Sequence, residues 1–160
     1  MVLYLMLRHH ENLTQYSGVL LVAEDGELIL QFRDDKPGIT NPGRVSLFGG
    51  TAKRGETPRK AACRELHEET CISVEPGELL LLGVFPYATG TVSSVAFAYV
   101  LPNVDPRSIN IIEGAGSLKI PADSRDSIKK ATPLCRAAME SYVLLHSDNF
   151  AMMKEILRDL

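Results

Sequence analysis

The sequence has no tryptophan, five phenylalanines, five tyrosines and three cysteines among its 160 residues. Lacking tryptophan, it has no indole on which a nucleobase can stack. Cys63, Cys71 and Cys135 form no Cys-x-x-Cys pair and no even framework. That argues against a disulfide scaffold and for reduced thiols in a cytoplasmic setting. No charge of one sign dominates: 17 basic residues stand against 20 acidic ones, a net charge of −3. Broad nucleic-acid backbone binding wants a basic face, so that class of partner is not expected. A small acidic substrate remains compatible, provided a metal supplies positive charge locally. Apolar runs of membrane-spanning length are missing, and the N-terminus lacks a signal-peptide pattern. What remains is ordinary for a soluble globular chain, with 45% hydrophobic and 23% charged residues. The length fits one domain spanning residues 1–160, with enough chain for a sizeable core.

Strand and helix signals alternate along the chain. Residues 3–7 form a short apolar run that reads as an edge strand, and the paired His9 and His10 after it read as solvated. Apolar runs at 18–23 and 28–32 flank Glu24-Asp25-Gly26-Glu27, and an Asp-Gly step between two such runs predicts a hairpin. Residues 35–43 hold two prolines and two glycines and read as a surface loop. A short strand over 45–48 should end on Gly49-Gly50. Thr57-Pro58 predicts a helix start, threonine as N-cap and proline at the first position. Ala61, Ala62 and Leu66 then form its inward stripe, with the glutamates elsewhere, and the helix should end near Thr70. Strands are expected over 79–86 and 92–101, with Thr89-Gly90 turning between them, and over 110–113 and 117–120. Thr132-Pro133 repeats the helix start. Leu134, Ala137, Ala138, Tyr142 and Leu145 follow at helical spacing, and Ser147 or Asp148 caps a last helix. Helices over about 132–160 either complete the core or form a homodimer surface. Mixed strands and helices predict an α+β or α/β sandwich.

The most informative segment is GGTAKRGETPRKAACRELHEETCI, which begins at Gly49. Residues three and four apart share a helix face, so Glu65, Glu68 and Glu69 are expected to project together. Like charges so arranged repel and cost stability unless a cation neutralises them. Carboxylate oxygens suit Mg²⁺, which also binds substrate phosphates, and Mn²⁺ takes the same ligands.

This segment resembles the signature of the Nudix hydrolases. In that pattern a Gly and a Glu precede Arg-Glu-aliphatic-any-Glu-Glu-any-Gly-aliphatic at fixed spacings. Gly50, Glu56, Arg64, Glu65, Leu66, Glu68, Glu69 and Ile72 match in register, and the likeness covers roughly residues 18–120. Cys71 stands where the family has Gly. Glycine past a helix end commonly takes the left-handed conformation. Either Cys71 accepts that strain or the helix ends differently by a residue. The resemblance implies an α/β/α sandwich with a mixed sheet and a loop-helix signature. It implies Glu68, Glu69 and the Gly49 carbonyl as ligands of Mg²⁺ or Mn²⁺. It also implies that Glu65 orients or deprotonates the attacking water or binds metal itself. Arg64 would pair with Glu56 and hold the site together, Gly50 and Glu56 being structural. Many relatives add a later glutamate followed by glycine. Glu113-Gly114 fits that description and equally fits a turn.

On the substrate side, Arg33 and Lys36 are candidates for phosphates. Phe48, Tyr87 and Phe97 are candidates for stacking on a base, or are core residues. The function implied is metal-dependent hydrolysis of a phosphoanhydride in a nucleoside diphosphate linked to another moiety. That moiety makes the substrate a nucleotide sugar, a dinucleotide or a modified nucleoside triphosphate. The alternative is a catalytically silent Nudix-fold module that binds or senses a nucleotide.

Overall fold

Strand β1, Thr14–Ala23, organises the molecule. Leu20 and Val22 face one side of the sheet, while Val19, Leu21 and Ala23 face the other. A strand buried on both faces reads as a continuous apolar run, as GVLLVA does here. The computed structural model describes residues 14–89 and 92–146, with the side chains of residues 87–89, 92 and 93 excepted. The strand expected at 3–7, the histidine pair, the turn residue Gly90, the last helix and the Tyr87 side chain lie outside the described residues.

β1 runs parallel to β6, Val92–Val104, and β6 is flanked antiparallel by β5, Leu80–Thr89. On its other edge β1 turns through Asp25-Gly26 into β2, Leu28–Phe32. Gly26 takes φ 82°, which the tight turn requires and glycine tolerates best. β1 and β2 pair only at Leu21 with Ile29 and Val22 with Leu28, and then diverge. Into the wedge comes the next stretch of chain. β3, Val45–Ser46, pairs with β2, and β4, Phe48–Thr51, pairs with β1. The single strand expected over 45–48 is therefore two strands that change partner at Leu47. Gly49 and Gly50 lie inside β4, opposite Gly18 and Ser17, and do not terminate it. β7, Gly116–Ile120, covers the outer edge of β2.

Helix α1, Pro58–Thr70, packs Ala62 and Leu66 on the Val19–Leu21 face. Its start is as read from sequence: Thr57 Oγ1 accepts from the Lys60 N–H at 3.4 Å, and Pro58 opens the first turn. At its end Cys71 takes φ 61°, ψ 7°, and its N–H donates to the His67 carbonyl. Cys71 thus accepts the left-handed conformation, at a cost of about 1 kcal/mol relative to glycine. Helix α2, Pro133–His146, closes the opposite face with Leu134, Cys135, Ala138 and Met139. The result is a mixed sheet between two helices, the α+β sandwich expected.

Residues 110–113 are not a strand. The Asn110 N–H donates to the Thr70 carbonyl at 3.0 Å and the Ile112 N–H to the Glu69 carbonyl at 2.9 Å. The last carbonyls of α1 have no intrahelical partner, and this segment supplies donors to two of them instead of joining the sheet. No helix among the described residues is long and apolar enough to cross a membrane.

Candidate active site

Arg64 is the centre of the acidic cluster. Its Nε and Nη2 grip the two Glu56 oxygens, each at 2.9 Å. Nη1 donates to Glu65 Oε1 at 2.6 Å and Glu68 Oε2 at 3.0 Å, and Nη2 also reaches the Thr51 carbonyl at 3.2 Å. A guanidinium has five N–H donors in a rigid fork, and here every one meets an oxygen. The pairing pulls Glu56 down to about 2, chiefly through the Arg64 hydrogen bond. The i,i+4 contact with Glu68 is real, and it is one of five bonds.

The three glutamates of α1 do not project together. Glu69 follows Ala62 and Leu66 at helical spacing and lies on the buried stripe, only 5% exposed. The Glu68 side chain is 47% exposed, with Lys53 Nζ 3.8 Å from its Oε1. Glu65 sits between them, pressed against β4. A Cβ added at Gly50 would come within 2.5 Å of the Glu65 carboxyl group. One residue earlier, a Cβ at Gly49 would meet the Ser17 carbonyl oxygen at 2.1 Å. The Gly-Gly step is therefore a surface on which one carboxylate rests and a second strand lies.

Glu69 enters that surface from beneath. Its Oε2 accepts the Gly49 N–H at 2.8 Å, and its Oε1 accepts Gln31 Nε2 at 2.9 Å. Burial pushes its carboxyl up to about 7, against the two hydrogen bonds and helped by the charges of Glu65 and Glu113. Glu113 is exposed, and its backbone oxygen lies 3.4 Å from Gln31 Nε2, which brings its loop to the same place. The Gly49 carbonyl accepts the Tyr16 hydroxyl at 3.0 Å.

Among the described residues no three acidic, histidine or cysteine side chains stand close enough to enclose a cation. Arg64 holds Glu65 and Glu68 to itself. The donor set nevertheless fits a hard divalent ion: carboxylates from successive turns of one helix, a backbone carbonyl at Gly49, and a buried Glu69 in need of positive charge. Glu68, half exposed, is held by Arg64 Nη1 at 3.0 Å and would have to leave that contact to join such an ion.

A cavity of about 820 Å³ opens beside Gly49 and Gly50 on the α2 face of the sheet. Among its described lining residues Arg33 is the only charged one, and Asn41, Ser46 and Ser94 add polar groups. Ser94, 7% exposed, has a buried hydroxyl with no protein partner. Phe85 supplies an aromatic face. Arg33 thus stands at the cavity, its Nε held by the Thr40 carbonyl at 2.8 Å. Lys36 does not line it and instead pairs with Asp34 at 2.9 Å. Phe48 is wholly buried in the α1-side core, so the expectation that it stacks on a substrate is corrected: no face of its ring is open. Phe97 packs against that same core. Sequence reading missed Gln31, Tyr16 and Ser94. The signal for Gln31 was an amide in the apolar run LILQF, where an unpaired polar group is costly.

The NUDIX domain family matches residues 13–114 of the chain. Among solved structures, the MutT NUDIX hydrolase from Burkholderia pseudomallei is similar at 24% identity and a TM-score of 0.67, covering 82% of this chain and 98% of that one. An Ap4A hydrolase from C. elegans is similar at 17% identity and a TM-score of 0.65, covering 83% and 97%. The dihydroneopterin triphosphate pyrophosphohydrolase of E. coli is similar at 24% identity and a TM-score of 0.59, covering 81% and 94%. These identities speak for the fold, and the family match spans well over half the residues. With its Gly-Gly strand, its Arg64-bound glutamates and its mixed sheet between two helices, this chain belongs to the Nudix family.

Proposed function

We propose that the protein hydrolyses a phosphoanhydride bond in a nucleoside diphosphate linked to another moiety, with Mg²⁺ or Mn²⁺ as cofactor. One observation carries the reading. Glu65 and Glu69 lie against consecutive residues of the Gly49-Gly50 step, and that step borders a cavity large enough for a nucleotide. Glu68, Glu69, the Gly49 carbonyl and Glu113 would hold the metal, with Glu65 as a further ligand or as the group that orients and deprotonates the attacking water. When bound, a divalent cation neutralises phosphoryl oxygens and makes water nucleophilic near neutral pH. Arg64 keeps Glu56 and Glu65 in fixed positions, as carboxylate sites require. Arg33 is the lining cation available to an anionic or acceptor-rich group of the substrate. Two structural neighbours are named for Ap4A and for dihydroneopterin triphosphate, which supports a nucleotide-like substrate without choosing the attached group.

A second reading, a silent nucleotide-binding module, draws support from Arg64, which neutralises two of the three helix glutamates. A panel of nucleotide sugars, dinucleotides and nucleoside triphosphates separates the two. It is assayed with Mg²⁺, Mn²⁺ and chelator, and products are identified by mass spectrometry. The hydrolase reading expects metal-dependent release of a nucleoside monophosphate from at least one class. Nucleotide binding without metal-dependent turnover would favour the module.

A further inference from the structure

Gln31 sits in β2 with 2% of its surface exposed, and both ends of its amide are engaged. Nε2 faces two acceptors, Glu69 Oε1 at 2.9 Å and the Glu113 carbonyl at 3.4 Å. Oε1 faces two donors, Ser46 Oγ at 3.1 Å and Arg33 Nη1 at 3.5 Å. Ser46 Oγ also lies 2.9 Å from the Leu47 carbonyl, so its one proton serves either oxygen. A flipped amide would set oxygen against a carboxylate and a carbonyl, so the orientation is determined by its neighbours. The Glu113 loop approaches closely because Gly114 follows it. Gly114 takes φ 97°, and a Cβ there would stand 3.0 Å from the Phe32 carbonyl and 3.4 Å from Gln31 Nε2.

Three segments distant in sequence therefore meet on one side chain, α1 through Glu69, the loop before β7 through Glu113 and β3 through Ser46, and the nearby Arg33 joins them. We propose that Gln31 is a positioning residue, which holds Glu69 and the Glu113 loop in register around one divalent cation. This rests on the metal-dependent reading above and adds to it a residue that touches no phosphate. A carboxylate ligand rotates freely about its last bond unless something fixes it. Gln31 fixes one Glu69 oxygen and the Gly49 N–H fixes the other. Partners of metal ligands typically govern affinity by about 10- to 100-fold.

The test is a Mn²⁺ titration of the full chain followed by electron paramagnetic resonance of the free ion, with thermal melts and steady-state kinetics alongside. Gln31→Met keeps length and loses both donor and acceptor. Gln31→Asn keeps the amide and withdraws it by one methylene, and it carries the test if the first variant does not fold. Either folded variant is expected to bind Mn²⁺ at least about tenfold more weakly. The loss in turnover should fall more on kcat than on KM for the nucleotide, because Nε2 serves the metal ligand while Oε1 meets the cavity only through Ser46 and the longer Arg33 contact. A role in folding alone would lower the melting temperature and leave the Mn²⁺ affinity of the folded protein unmoved, which overturns the inference. Wild-type protein that bound no Mn²⁺ would overturn the metal-dependent reading and this inference with it. Equal binding by wild type and variants overturns this inference alone.

Discussion

The Gly49 N–H donates to Glu69 Oε2 at 2.8 Å, joining strand β4 to the buried side of helix α1. Through that bond the position of a carboxylate is set by a backbone that cannot move without disturbing the sheet. The neighbouring Gly50 meets Glu65 in a different way, by leaving room for it.

The two glycines should respond differently to alanine. At Gly50 the added methyl meets the end of a flexible side chain, so Glu65 shifts and the sheet persists. Activity is expected to fall about a hundredfold, the effect of a displacement near 1 Å at reacting groups, with little change in melting temperature. At Gly49 the methyl meets the Ser17 backbone, and φ is 152°. Neither yields easily, so Gly49→Ala should cost about 3 kcal/mol in urea unfolding.

Glu69→Gln removes one negative charge without changing shape. Turnover is expected to fall by orders of magnitude while circular dichroism remains that of the wild type. One amide hydrogen must face a donor, either the Gly49 N–H or Gln31 Nε2, at a cost of about 1–3 kcal/mol that offsets the relief of burying no charge. Near-normal kcat in this variant would remove Glu69 from the metal site.

The pH dependence of stability follows from the same residue. Glu69 titrates at about 7 in the fold against an ordinary value of 4.5. Between those values the folded protein binds more protons than the unfolded chain. The stabilising contribution is therefore complete below about 4.5 and lost as pH rises through about 7. Metal-free protein should melt at a lower temperature at pH 8 than at pH 5. Glu69→Gln should flatten that slope, and Mn²⁺ should raise the melting point more at pH 8, where it meets an ionised ligand. A slope unchanged in the variant would assign it to another group.

Arg64→Lys tests the fork. An ammonium cannot make the paired contacts to Glu56 and also serve Glu65, Glu68 and Thr51. Turnover is expected to drop about 10- to 100-fold. Glu56, held near 2 in the wild type, stabilises the fold above about 4.5 and loses that contribution as pH falls toward 2. The variant should therefore show a shallower loss of stability in acid, measured by urea midpoints from pH 5 to pH 2.5.

Cys71→Gly restores the residue the signature prefers. The cysteine holds φ 61° at the end of α1, strain that glycine does not feel. Part of the gain is returned by the freer unfolded chain. A net stabilisation of up to about 1 kcal/mol is expected, with kcat unchanged, since the Cys71 side chain is exposed. Destabilisation would show that the thiol packs or bonds in a way the helix end conceals.

Much of the site was legible before the fold was known, because its signals are local. The N-cap at Thr57 depends on residues three positions apart, while the pairing of Arg64 with Glu56, eight residues away, was implied by the family resemblance. Cys71 left two helix ends open, and the fold took the left-handed one. The strand expected at 110–113 failed because apolar character could not say that its N–H groups would be taken by the carbonyls of Glu69 and Thr70. Phe48 read either as a stacking face or as a core residue, and strand alternation, which the sequence could not orient, places it in the core.

The sequence by itself determined the family, through the register of Gly50, Glu56, Arg64, Glu65, Glu68 and Glu69, and the helix that carries these glutamates, since cap and turn signals act over short stretches of chain. The tertiary structure alone decided which glutamate is buried, that Arg33 and not Lys36 faces the cavity, and that Gln31 meets Glu69 from 38 residues away. Those outcomes depend on how β1 and β2 diverge to admit β3 and β4, a matter of packing between distant segments that no local pattern encodes.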